Sequence, residues 1–259
     1  MSLLKKFISL FLRTEKFVID TTPIANTTAQ KKDTRDFITT APVAKESPRF
    51  YSIPNRPAIR NQGSIGSCRS HSVVRELEIQ WANKGVNYDG SELHHYYQTR
   101  KHINKTFPKD AGMTMRDGCK TAIKFGVAPE KLWSYNVLKF NTEPNAYANG
   151  FARWFKAERY ELVQTAEQVK NSLLQNIPVG IGIKVDRSIY KFNASKHTWI
   201  PPTRPLFGHA VTIIGYNDAD KVFIVENSWG NRWGLRGTFK ISYENVTKNI
   251  GMYRLILPK

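Results

Sequence analysis

The sequence predicts an α+β fold in two subdomains: a helical first half, a second half built as an antiparallel β-sheet or barrel, and a cleft between them. Three observations carry that reading. Apolar residues recur at helical spacing between positions 67 and 126, and four apolar runs rich in β-branched residues, separated by turn residues, occupy positions 179–243. The hydrophobic fraction, 41% of 259 residues, is enough to bury a sizeable core. The change of period divides the chain into an N-terminal arm (1–50), a helical subdomain (51–163) and a β-rich subdomain (164–259). No internal repeat is present.

The chain opens with MSLLKKFISLFLRTEK. Its apolar stretch, FISLFL, falls short of the roughly 7–15 residues of a secretory core, and Arg13, Glu15 and Lys16 follow without a small-residue cleavage site. It reads as a short amphipathic helix. Residues 17–50 are rich in threonine, lysine, proline and alanine with no sustained period, which marks an extended arm or linker. The compact domain begins near Tyr51, where Pro54 and Pro57 favour extended backbone. From Ser67 onward Val74, Leu77 and Trp81 share one helix face, and Gly85 supplies the stop. A second helix starts at Ser91 and carries His94, His95 and His102. A third runs from Thr114 to Gly126, with Cys119, Ala122 and Ile123 on its apolar side. TAEQ at Thr165–Gln168 has the form of a capping box and opens a short helix ending near Asn176. The strands VGIGIKV, HAVTIIGYN, KVFIVENS and GTFKISY follow, with Asn217, Asp218 and Gly230 among the turn residues between them.

Lysine and arginine outnumber aspartate and glutamate by 18. Such a balance suits weak electrostatic contact with nucleic acid or an acidic surface, and equally a solvated basic exterior. No zinc-finger spacing, basic heptad helix or aromatic RNP-type motif marks a dedicated nucleic-acid module. No apolar run approaches the ~18 residues of a membrane-spanning helix. Two cysteines, Cys68 and Cys119, fit a reducing compartment.

Cys68 stands in QGSIGSCRSHS, in the first turn of a predicted helix. A lone cysteine is ordinarily a small buried hydrophobe. At a helix N-terminus it can also be a nucleophile, because the dipole and the unpaired N–H groups favour its thiolate. A nucleophile needs a base, and six histidines compete. His71, three residues along the same helix, reads as a packing or surface residue. His94, His95 and His102 lie on a polar helix with no CxxC or HExxH pattern, so no metal site is expected, and His197 sits in a loop. His209 opens the strand GHAVTIIGY. The next strand ends in ENSWGNRWG, where Asn227 can hold one ring nitrogen and leave the other for the sulfur.

On these motifs the sequence resembles the papain-like cysteine peptidases of the papain/cathepsin family, in particular bacterial or viral-type members without disulfides. NQGSIGSC resembles that family's glutamine-and-glycine turn before the nucleophile, GHAVTIIGYN its histidine strand, and NSWGNRWGLRGTFKI its asparagine strand. Cys68 and His209 lie 141 residues apart, within the ~130–150 of the family. The resemblance spans roughly residues 51–257. It implies a papain-like two-subdomain fold and a thiol protease that hydrolyses peptide bonds through a thioester acyl-enzyme, with a polypeptide substrate and no cofactor. Cys68 is then the nucleophile, His209 the base and later the acid, and Asn227 its orienting partner. The Cys68 N–H and the Gln62 amide form the oxyanion hole, Trp229 covers the His209–Asn227 contact, and Gly112 and Gly208 pair with substrate backbone. Two alternatives stay open: a catalytically silent papain-fold binding protein in a nucleic-acid-rich assembly, and a transpeptidase or amidase. The setting expected is intracellular, cytoplasmic or virion-associated rather than secreted.

Three departures stand out. Arg69 follows the nucleophile where the family has tryptophan, which places a cation to lower the thiol pKa or reshape the cleft. Ile65 stands where many relatives carry a disulfide cysteine. The arm lacks the family's inhibitory helical motif, which leaves it as a cleft-blocking pro-segment, a self-trimmed segment or a tether.

Overall fold

In the computed structural model, which describes residues 25–40 and 47–259, the three expected helices form where their end residues place them. The expected amphipathic helix at the N-terminus lies outside the described residues. Helix α1 (Cys68–Asn83) begins at Cys68 itself, carries no acidic residue in its first turn, and is followed by Gly85 at φ +78°. Helix α2 (Glu92–Gln98) starts where Ser91 Oγ accepts the His94 N–H at 3.1 Å, and it runs on into a wider π turn over Thr99–Ile103. Helix α3 (Met115–Lys124) is capped by Thr114, whose Oγ1 accepts the Asp117 N–H at 3.1 Å. The expected polar character of α2 is wrong: all seven of its residues are buried. Packed against α1 and α3, His95 joins Ser70 Oγ at 2.9 Å and the Gly118 carbonyl at 3.0 Å, so its polarity is spent on internal hydrogen bonds.

The arm supplies β1 (Thr27–Thr28), which pairs in parallel with β3 (Met113–Thr114). β2 (Phe50–Ser52) opens the compact part of the chain. After helix α4 (Ala146–Ala152) come β4 (Arg159–Leu162), the capping-box helix α5 (Ala166–Leu174), β5 (Val179–Val185), β6 (Phe207–Asn217), β7 (Val222–Glu226), β8 (Thr238–Ser242), the short α6 (Tyr243–Val246) and β9 (Gly251–Ile256). The strands form one antiparallel sheet in the order β4-β9-β5-β6-β7-β8, with β2 also paired to β6. It is an open sheet and not a closed barrel. Its core includes Ile181, Ile213, Val225 and Phe239, while Val73, Leu77, Met115, Tyr253 and Leu255 form a second core beneath α1. Because α1 packs on β5, β6 and β9, its N-terminus meets the sheet where His209 emerges from β6.

Candidate active site

Cys68 is fully buried at the start of α1. His209 lies on β6 opposite Ile183 of β5, and Asn227 follows the last residue of β7. Asn227 Oδ1 accepts the Ser228 backbone N–H at 2.8 Å, which identifies that atom as the oxygen. It also meets His209 Nε2 at 2.7 Å, so Nε2 carries the proton of that contact and Nδ1 is left for the sulfur. Nδ1 makes no fully formed hydrogen bond, the loose geometry common in a resting site. Even so, the Cys68 thiol is pulled down to about 7. Burial alone would raise it; hydrogen bonding and charge from His209, the Thr27 hydroxyl and the Asn26 backbone outweigh that burial.

Trp229 stacks on His209 with ring centroids 4.7 Å apart. Its Nε1 donates to Gln62 Oε1 at 3.2 Å, and Ser228 Oγ donates to the same oxygen at 2.6 Å. Gln62 Nε2 donates to the Ile65 carbonyl at 3.0 Å, and the Gln62 backbone N–H donates to Ser228 O at 2.8 Å. The glutamine turn is thus tied to the asparagine loop through backbone and side chain together. Ile65, at the disulfide position of relatives, packs instead against Leu93, Tyr96 and Met113.

Both predicted substrate-binding glycines meet main chain. At Gly112, where φ is +65°, a Cβ would collide with the Asn26 carbonyl oxygen, and at Gly208 with that of Thr27. Thr27 Oγ1 lies 3.1 Å from Cys68 Sγ. The described part of the arm therefore crosses the cleft directly above the sulfur. Sequence reasoning missed Asn26 and Thr27, because nothing local to the arm marks where it docks.

Arg69 also differs from expectation. Its guanidinium turns away from the Cys68 sulfur into the protein, where it bonds Glu76 Oε1 at 2.5 Å, Ser72 Oγ at 2.9 Å, the Met115 carbonyl at 3.1 Å and Cys119 Sγ at 3.0 Å. The guanidinium is spent on these internal partners, away from the cleft. Burial raises the Cys119 thiol to about 12 despite the guanidinium beside it, so the two cysteines differ sharply in reactivity. His71 is buried, held by the Ser67 carbonyl, and pushed by burial down to about 3. No cluster that could hold a metal ion occurs among the described residues.

Comparison with known proteins agrees with this constellation. The profile of the papain family cysteine proteases matches residues 54–256. The chain belongs to that family. It is 30% identical over 214 residues to an uncharacterised peptidase C1-like protein of Acanthamoeba polyphaga mimivirus, covering 76% of this chain and 68% of that protein. Against cathepsin F of Drosophila melanogaster it is 28% identical over 215 residues, which is 76% of this chain but 33% of that longer protein. Xylellain, a cysteine protease from Xylella fastidiosa, has the same fold at a TM-score of 0.84 and 25% identity, covering 91% of this chain and 96% of that one. No helix among the described residues is long and apolar enough to cross a membrane.

Proposed function

We propose that the protein is a papain-type peptidase whose Cys68 thiolate attacks the carbonyl carbon of a peptide bond. The new C–S bond forms as the carbonyl electron pair moves to oxygen, where the Cys68 N–H and Gln62 Nε2 stabilise it. His209, whose Nδ1 has taken the Cys68 thiol proton, gives that proton to the departing amine as the C–N bond breaks, which leaves a thioester. The neutral imidazole then takes a proton from water, whose oxygen displaces the sulfur as thiolate. Asn227 orients the imidazole, Trp229 keeps water from that contact, and Gly112 and Gly208 give an extended substrate room to lie against the cleft. The observation that carries this reading is the thiol held near pKa 7 beside a histidine fixed by an asparagine at 2.7 Å.

In the same reading the described part of the arm, residues 25–40, blocks the cleft, because Asn26 and Thr27 lie against the glycines a substrate backbone would meet. The chain works inside a cell or within a virion, in keeping with its two free thiols and its viral relative. The excess of 18 basic residues adds weak electrostatic contact with nucleic acid or another acidic surface.

Hydrolysis of a fluorogenic peptide amide tests the assignment. Cys68→Ser is expected to abolish turnover, and His209→Ala to lower kcat by roughly 10²–10⁴-fold. Asn227→Ala costs less, since it leaves the base in place. Turnover that survives in Cys68→Ser would contradict the nucleophile assignment. An added amine that captures the acyl group in preference to water would point to a transpeptidase.

A further inference from the structure

Beyond the cleft, the arm runs over the outside of the helical half and along the β4 edge. There it is seated almost entirely by polar contacts. Phe37 and Ile38 are 56% and 45% exposed, and a cavity of about 420 Å³ remains between the arm and the body. The neighbouring Arg35–Asp33 pair is internal to the arm's own turn and ties it to nothing. Asp36 is different. Its buried carboxylate accepts Arg116 Nε at 2.9 Å and Nη2 at 2.5 Å, the Tyr253 hydroxyl at 2.9 Å and the Tyr160 hydroxyl at 3.1 Å. The same arginine also donates from Nη1 to the Lys31 carbonyl at 3.0 Å and from its backbone N–H to Gln30 Oε1 at 2.9 Å. Gln30 Nε2 in turn reaches the Tyr253 hydroxyl. Just beyond Asp36, the Leu162 N–H donates to the Phe37 carbonyl at 2.8 Å and the Thr39 N–H to the Leu162 carbonyl at 3.0 Å.

We propose that Arg116, Tyr160 and Tyr253, from α3, β4 and β9, form a carboxylate-binding site outside the catalytic cleft, whose ligand is Asp36 of the same chain, and that this contact seats the arm. The inference rests on the reading of the arm as a blocking segment only for its consequence; the binding site itself stands on the contacts. A fork of two guanidinium nitrogens with two hydroxyls matches an ionised carboxylate. It matches a neutral amide poorly, because the –NH₂ would face a guanidinium N–H, which cannot accept. Although burial pushes the Asp36 pKa up, donors from Arg116, Tyr253 and Tyr160 hold it below its ordinary value. With little apolar surface buried nearby, loss of that charge leaves Arg116 buried without its counter-ion and the arm held only by neutral hydrogen-bond acceptors such as the Lys31 and Phe37 carbonyls.

The test is hydrogen exchange read by mass spectrometry on the full-length protein and on Asp36→Asn, which alters the arm and leaves the domain core untouched. Exchange of peptides spanning residues 26–40 is expected to accelerate tenfold or more in Asp36→Asn while α1 keeps its protection, and Tyr253→Phe should give a smaller acceleration. Asp36→Glu, which keeps the carboxylate, should recover part of the protection. Arm exchange within twofold of wild type in Asp36→Asn would overturn the proposal whatever Cys68 does. Labelling of Cys68 by a peptidyl epoxysuccinyl reagent separates the two readings. If the arm loosens and labelling accelerates, both hold. If the arm loosens and wild type was already labelled as fast, the carboxylate site stands and the blocking role fails.

Discussion

The sulfur of Cys68 is fully buried and still carries a thiol pKa of about 7. Burial by itself disfavours a thiolate, so the donors around it decide the outcome. His209 contributes most of the lowering, and the arm adds the Thr27 hydroxyl and the Asn26 backbone. A far-ultraviolet thiolate titration should show one step near pH 7, from Cys68, with Cys119 ionising only near 12. The lowered pKa means that the thiolate is present above about 7 and lost as the pH falls through it. His209→Ala should move the first step up toward 9, and Thr27→Val should move it the same way by less. A neutral-pH step that persists in Cys68→Ser would show that another group had been titrated. The candidate roles of Cys68, His209 and Asn227 were legible in the sequence because each residue stands in a distinctive local motif. Thr27 was not, since its place above the sulfur depends on where a featureless arm is tied down some nine residues later.

Helix α1 joins the nucleophile to the sheet through ion pairs that local patterns hide. Arg69 and Glu76 lie wholly buried where α1 crosses β5, and Gly180 is the residue that makes room: a Cβ there would strike both Glu76 Oε1 and Arg69 Nη1. On the same helix, one residue before Glu76, Arg75 Nε donates to Glu226 Oε2 at 2.5 Å, which ties α1 to the residue before Asn227. Arg69→Met should destabilise the protein by about 3 kcal/mol, because Glu76 stays buried without its counter-ion, with the Ser72 hydroxyl as its remaining side-chain donor. It should leave the Cys68 titration step in place. Thermal denaturation and the thiolate titration measured together check this, and a shifted step at unchanged stability would contradict it. In the sequence Arg69 reads as a cation beside the thiolate, since position alone does not show which way a side chain turns. Capped helices such as α3 and α5 were legible from Thr114 and Thr165. Strands β4 and β9 were missed: β4 carries Arg159 and Glu161 in only four residues, and β9 is buried along most of its length, so neither shows clean alternation.

On the proposed reading the chain is a peptidase domain whose residues 25–40 cover its own cleft. The cleft forms where the start of α1 meets β6 and the β7 end, and the arm enters it over Gly112 and Gly208 and is fastened outside it at Arg116. The division into helical and β-rich halves was visible in the change of apolar period, whereas the docking of the arm is a long-range contact that no periodicity reports. The proposed function turns on an activated Cys68 in a cleft covered by residues 25–40. Its most direct test is the intact mass of the protein after exposure to an epoxysuccinyl peptide, beside Cys68→Ser and a form lacking residues 1–49. A single adduct that requires Cys68 is predicted, slow in the full chain and at least tenfold faster without the arm. No adduct on Cys68 in either form, or an equal adduct in Cys68→Ser, would contradict the account.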